Sequence, residues 1–162
     1  MAIEPNWVDM AALATAILVA VVGIITYSFQ KKHSQLTGLV QSFKLLNDEE
    51  HRDAREKVYE LFEQYQENKD VKIFRNKYAE MVRADLDQVG SLVRSGTIQK
   101  RGFYEAYGYN AFICWKSLRD HIMDERKRRN FNSYMENFEW LASEASKWWK
   151  KKGVDLNQSN IY

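Results

Sequence analysis

The chain changes character once. From Val8 to Phe29 it is apolar with a single charge, Asp9, at the start of the run; from Lys31 onward apolar residues recur only at intervals. At 1.5 Å per residue the run makes about 33 Å of helix, enough for a hydrocarbon core of about 30 Å. A signal peptide starts with basic residues, has a shorter apolar core and ends at small residues. Here Glu4 and Asp9 lead and Lys31-Lys32-His33 follows. The expectation is a retained single-pass transmembrane helix over 8–29, preceded by a short external N-terminus, 1–7. No Lys or Arg precedes the run and two follow it directly, which places the N-terminus outside and the rest in the cytoplasm of a cell-membrane protein. Trp7 and Tyr27 lie near the two ends, where amphipathic aromatics settle.

Beyond the run the spacing is helical. Leu36, Leu39, Val40, Phe43 and Leu46 recur at steps of three and four and predict a juxtamembrane linker helix, 30–47. Gly38 weakens it by about 1 kcal/mol relative to alanine. The stripe is too short for a coiled coil and needs cover, from the domain or from a second copy. Asn47, with Glu50 three residues on, has the pattern of a capping box. The helix it opens carries Ala54, Val58, Leu61, Phe62 and Tyr65 on one face and should end near Asn68. A further helix from about Asp70 carries Phe74, Tyr78, Val82, Val89 and Val93 and should stop at Ser95-Gly96. Thr97 can cap the next, built on Phe103, Tyr107, Ala111, Trp115, Leu118 and Ile122, with a bend or a delayed start at Gly102 and Gly108. The last helix is expected from Asn130 to Lys152, then a flexible tail, 153–162. Pro5, the one proline, lies before all of this. The fold class is all-α: one transmembrane helix continuing into a linker, then a cytoplasmic bundle of about four helices over 48–152.

Charge adds a polarity that the total conceals. The net charge is only +2, but residues 48–70 carry nine acids and four bases, and residues 126–152 carry eight bases and three acids. Two such stretches could lie side by side and cancel. Alternatively Arg126, Lys127, Arg128, Arg129, Trp149, Lys150, Lys151 and Lys152 could face phospholipid headgroups, with one of Trp148 and Trp149 in the core and the other exposed. Near-neutral overall charge and the absence of a recognised module point away from nucleic acid. A single cysteine, Cys114, rules out an internal disulfide.

Within the apolar run Ala12, Ala16, Ala20 and Gly23 share one helical face. Small faces of this kind let a partner span approach closely. No P-loop, dinucleotide fingerprint, nucleophile elbow or zinc spacing occurs. Asp48-x-x-His51 and His121-x-x-Asp124 each put an imidazole and a carboxylate on one helical face. A bundle metal site needs more inward carboxylates than these supply, and both pairs sit in charged segments, which argues for solvated histidines. Cys114 lies in Ala-Phe-Ile-Cys-Trp, an apolar setting that suits an inert thiol.

Several short stretches together form a recognisable succession. Asp53-Ala54-Arg55 follows the span and linker; Leu86-Asp87-Gln88-Val89-Gly90-Ser91-Leu92-Val93 precedes Gly96; Trp115-Lys116-Ser117-Leu118 and Tyr134-Met135-Glu136-Asn137-Phe138-Glu139-Trp140-Leu141-Ala142 come last. This succession resembles a family of small membrane-anchored helical proteins catalogued only as a domain of unknown function, over roughly residues 8 to 148. The resemblance implies an anchored all-α domain and no activity.

The reading is therefore a non-catalytic accessory or scaffolding subunit, with no cofactor and no metal. Its partners would be the bilayer and other membrane subunits or a second copy. The small face and the linker residues Leu36, Leu39, Val40 and Phe43 would be its contact surfaces. The alternatives are a metal-binding bundle or enzyme built on His51 and His121, and a lipid-headgroup-sensing domain.

Overall fold

A computed structural model describes residues 6–156. Five helices and no strand occur among them: α1 Trp7–Asn47, α2 Glu49–Asn68, α3 Lys77–Arg94, α4 Lys100–Arg129 and α5 Glu136–Lys151, with a short 3₁₀ turn, Val71–Phe74, between α2 and α3. Most of the expected external N-terminus, 1–7, and most of the expected tail, 153–162, lie outside the described residues.

The 8–29 run and the linker are one helix of 41 residues. Residues 6–34 are exposed throughout, and the bundle begins to cover the helix at Gln35. There Gln35 Nε2 donates to the Gly96 carbonyl at 2.8 Å. Gly38 costs helix propensity but allows a close approach, since a Cβ would sit 3.2 Å from the Thr97 carbonyl oxygen. Leu39 and Leu46 are buried in the core, and Phe43 packs on Tyr107 at 5.0 Å between ring centroids.

The ends of the elements depart from the local signals, and each departure has a contact behind it. Asn47 does not cap α2: it is the last residue of α1 and accepts a hydrogen bond from the Tyr107 hydroxyl. Asp48 makes the break in an extended conformation, with no side-chain cap. The helix expected from Asp70 starts later. Asp70 caps the 3₁₀ turn that drives Phe74 into the core, and α3 starts at Lys77, where Asn76 accepts from the amides of Tyr78 and Ala79, both at 3.0 Å. Thr97 does not cap α4, because its hydroxyl bonds Ser95 at 3.0 Å; Gln99 holds the cap position. α4 runs unbroken through Gly102 and Gly108, which admit Leu39 and Trp149 instead of bending it.

The largest shift is at α5. Asn130 ends α4 in the left-handed region and residues 131–135 form a turn, so α5 begins at Glu136. Its cap comes from α3: Asp87 Oδ1 accepts from the amides of Asn137 and Phe138, each at 3.0 Å. Beside it Gly90 is obligatory, since a Cβ would fall 2.4 Å from the Asn137 carbonyl oxygen. α5 thus lies across α3 and α4, burying Phe138, Leu141 and Ala145. Gly153 ends it in the left-handed region, with φ at 82°. The chain then turns back, and Leu156, 1% exposed, packs with Phe112 and Ile113.

Candidate functional site

Three regions remain after the core is accounted for: the free part of α1, and one cationic group at each end of α4. On α1 the small residues Ala12, Ala16, Ala20 and Gly23 are all exposed, and nothing approaches within 4 Å of a Cβ built on Gly23. The linker stripe divides. Leu39 and Phe43 are covered by the bundle itself, so these two do not lack cover within the chain; Leu36 and Val40 are exposed.

The cations that could together face headgroups fall into two separate groups. Lys150, Lys151 and Lys152 close α5 beside the first turns of α4, where Lys152 pairs with Glu105 at 3.3 Å and stands 3.9 Å over the Trp148 ring. Arg126, Lys127, Arg128 and Arg129 close α4 itself, about 35 Å further along its axis at 1.5 Å per residue. α1 enters at the lysine end, through Gln35 and Gly96. No ion pair joins residues 48–70 to 126–152 among the described residues. The basic stretch is neutralised nearer home, Arg126 by Glu139 at 2.8 Å and Arg129 by Glu125 at 2.9 Å. Trp148 and Trp149 are both half-buried, instead of one inside and one out.

The arginine end is a built site. Arg75, Asn76 and Lys77, at the start of α3, face the last turns of α4 across a cleft of about 380 Å³. Glu80, Arg83, His121, Glu125, Arg128 and Arg129 complete its lining. Glu125 is 3% exposed and receives Arg128 at 3.0 Å and Arg129 at 2.9 Å, with Arg75 at 3.4 Å. Those guanidinium hydrogen bonds, led by Arg128, hold its carboxyl down at about 2. Arg75 also reaches Asp124 at 3.0 Å.

Arg83 is 5% exposed. Its Nε donates to the Ala79 carbonyl at 3.0 Å and its Nη1 meets His121 Nε2 at 2.6 Å. No carboxylate pairs with it among the described residues. His121 Nδ1 lies 3.1 Å from the Val71 carbonyl, which can only accept. The proton therefore sits on Nδ1, and Nε2 accepts from Arg83. Burial and the Arg83 charge push the His121 pKa down to about 4, so the ring is neutral at pH 7.

Both histidines differ from the solvated side chains expected. His121 is 1% exposed, and the partner of His51 is Asp85 on α3, at 2.5 Å, not Asp48. Both ring nitrogens of His121 are engaged, one by a cation, which opposes a metal at that ring. Among the described residues no three His, Cys, Asp or Glu side chains gather as metal ligands would. Cys114 is fully buried with Tyr59 Oη at 3.4 Å; burial pushes its thiol up to about 11, so it is protonated and unreactive.

The histidine–arginine pair was not legible from spacing, because Arg83 and His121 are 38 residues apart on different helices. The only local trace is an arginine among core positions of α3, between Val82 and Leu86.

No curated protein and no solved structure matches the chain. A family match covers residues 10–148, from the first turns of α1 to the last turn of α5. It takes in the small all-helical bundle and the one helix among the described residues that is long and apolar enough to cross a membrane. The chain belongs to the family described as Domain of unknown function (DUF4760).

Proposed function

We propose that this is a single-pass protein of the cell membrane, with its N-terminus outside and its bundle in the cytoplasm, acting without catalysis as an accessory or scaffolding subunit. One observation carries the reading. The same helix that exposes every side chain from Trp7 to Ser34 buries Leu39 and Leu46 in the bundle core. A free apolar helix in water would expose a large patch, whereas a bilayer covers it. The core residues on the inner part tie that covered helix to the domain. The positive residues Lys31 and Lys32 at its inner end support the orientation.

In this reading a partner span packs on Ala12, Ala16, Ala20 and Gly23, and Leu36 and Val40 remain available just outside the membrane. The test is extraction from the native membrane in mild detergent, followed by the mass and composition of the particle. A defined complex larger than one chain is expected. Ala16→Leu with Ala20→Leu should shrink it to the single chain. An unchanged particle would remove the small face from the account. A chain recovered without residues 8–29 would show the run to be a cleaved signal and overturn the anchoring.

A further inference from the structure

We propose that the cleft between the start of α3 and the end of α4 binds a small soluble anion of the phosphate or pyrophosphate class, with Arg83 as its buried anchor. Arg83 is a buried charge with no carboxylate bonded to it among the described residues. A buried guanidinium is costly unless it is paired. Arg83 is 5% exposed, yet its two hydrogen-bonding partners, the Ala79 carbonyl and the His121 ring, are both uncharged. Its third nitrogen, Nη2, makes no hydrogen bond with the described residues, and the side chain lines the cleft. An arginine held in place through Nε and Nη1, with Nη2 left to donate, is suited to an oxyanion, which accepts charge-assisted hydrogen bonds from a guanidinium.

The surroundings reinforce that sign. Arg75, Lys77, Arg83, Arg128 and Arg129 line the cleft against two carboxylates, Glu80 and Glu125. Glu125 is shared by three of the arginines, which holds them in place without neutralising them all. His121 is neutral, so it orients Arg83 without competing for an anion. The cleft also lies at the positive end of the α3 dipole. His121 is the only ring in its lining, and it is occupied by Arg83, so there is no platform for a nucleobase. The volume, about 380 Å³, suits a small molecule rather than a macromolecule.

A lipid headgroup offers the same phosphate chemistry. Position argues against it: the cleft is about 35 Å along α4 from the end at which α1 enters. This choice of a soluble source rests on α1 crossing a membrane; the choice of an anion does not.

The experiment uses the full chain in neutral-lipid nanodiscs at low salt, titrated with sodium pyrophosphate and with inorganic phosphate. Heat and the imidazole ¹⁵N signals of His121 are the readouts. Saturable heat and a matching His121 shift are expected, tighter for pyrophosphate. Arg83→Gln should weaken binding at least about tenfold, and the exposed Lys77→Glu about threefold. Lys150→Gln with Lys151→Gln should leave it unchanged. Should Arg83→Gln fail to fold, Lys77→Glu decides alone. No saturable shift at millimolar pyrophosphate would overturn the proposal, as would equal binding by Lys77→Glu or loss of binding in the lysine variant. In a second arm, phosphatidylserine replaces neutral lipid without pyrophosphate. His121 should not respond; a response would overturn the soluble source while leaving the cleft as an anion site.

Discussion

The two ends of α4 hold similar stretches of sequence in opposite states. At one end Arg126-Lys127-Arg128-Arg129 sits beside a buried carboxylate, and two of its arginines share that carboxylate with Arg75. At the other end Lys150, Lys151 and Lys152 are exposed, and Lys152 is held by Glu105 and the rings of Trp148 and Trp149. The difference follows from the side chains. Arginine presents a flat fork that several copies can direct onto one carboxylate, while lysine is a hydrated point charge on a flexible stem. A charge run read as a unit therefore hides whether it is organised, and the organising residue here, Glu125, lies one position before the run.

Removing that residue should break the comparison most severely. Glu125→Ala leaves Arg75, Arg128 and Arg129 without their common acceptor, and a loss of roughly 3 kcal/mol in urea unfolding is expected. A change below about 0.5 kcal/mol would mean that the arginine end is as loosely held as the lysine end.

Acid should separate the ends next. His121 has its pKa lowered to about 4 from an ordinary 6.5. The unfolded ring takes up its proton near the ordinary value, the folded ring only near the lowered one. The contribution of His121 is thus complete above pH 6.5 and is lost as pH falls towards 4, by about 2 kcal/mol at pH 5. Urea midpoints between pH 7 and 5 check this, and His121→Gln should flatten the slope. Arg83, Glu125 and Arg75 are the charged groups whose fields act on the ring, and none of them changes charge in that interval.

The smallest effect belongs to the lysines. Neutralising Lys150, Lys151 and Lys152 to glutamine should shift stability by less than about 0.5 kcal/mol. It should still reduce binding of the full chain to anionic vesicles if that end meets headgroups, by up to roughly 1 kcal/mol for each lysine that reaches them. Vesicle co-sedimentation at low and high salt is the measurement.

Much of the fold follows from local pattern. The apolar run, the stripe of Ala54, Val58, Phe62 and Tyr65, and the core positions Leu118 and Ile122 are where periodicity puts them, and the family resemblance was correct. What escaped is non-local. Asp87 caps a helix 50 residues away. Asn47 is used by Tyr107 instead of by its own helix start. His121 lies in a charged segment, yet it is buried because Arg83 needs an acceptor inside. Capping signals and charge patterns describe neighbours in sequence, and these groups are satisfied by neighbours in space.

The unbroken path of α1 also fixes an angle. At 3.6 residues per turn, the strip of Ala12, Ala16, Ala20 and Gly23 faces about 130° away, around the helix axis, from the side on which Leu39 and Leu46 enter the bundle. The helix acts as a shaft keyed at both ends: whatever grips the small strip also sets the direction in which the bundle points. One residue inserted between 30 and 34 would turn that key by about 100° and swing the arginine cleft by the same angle around the α1 axis.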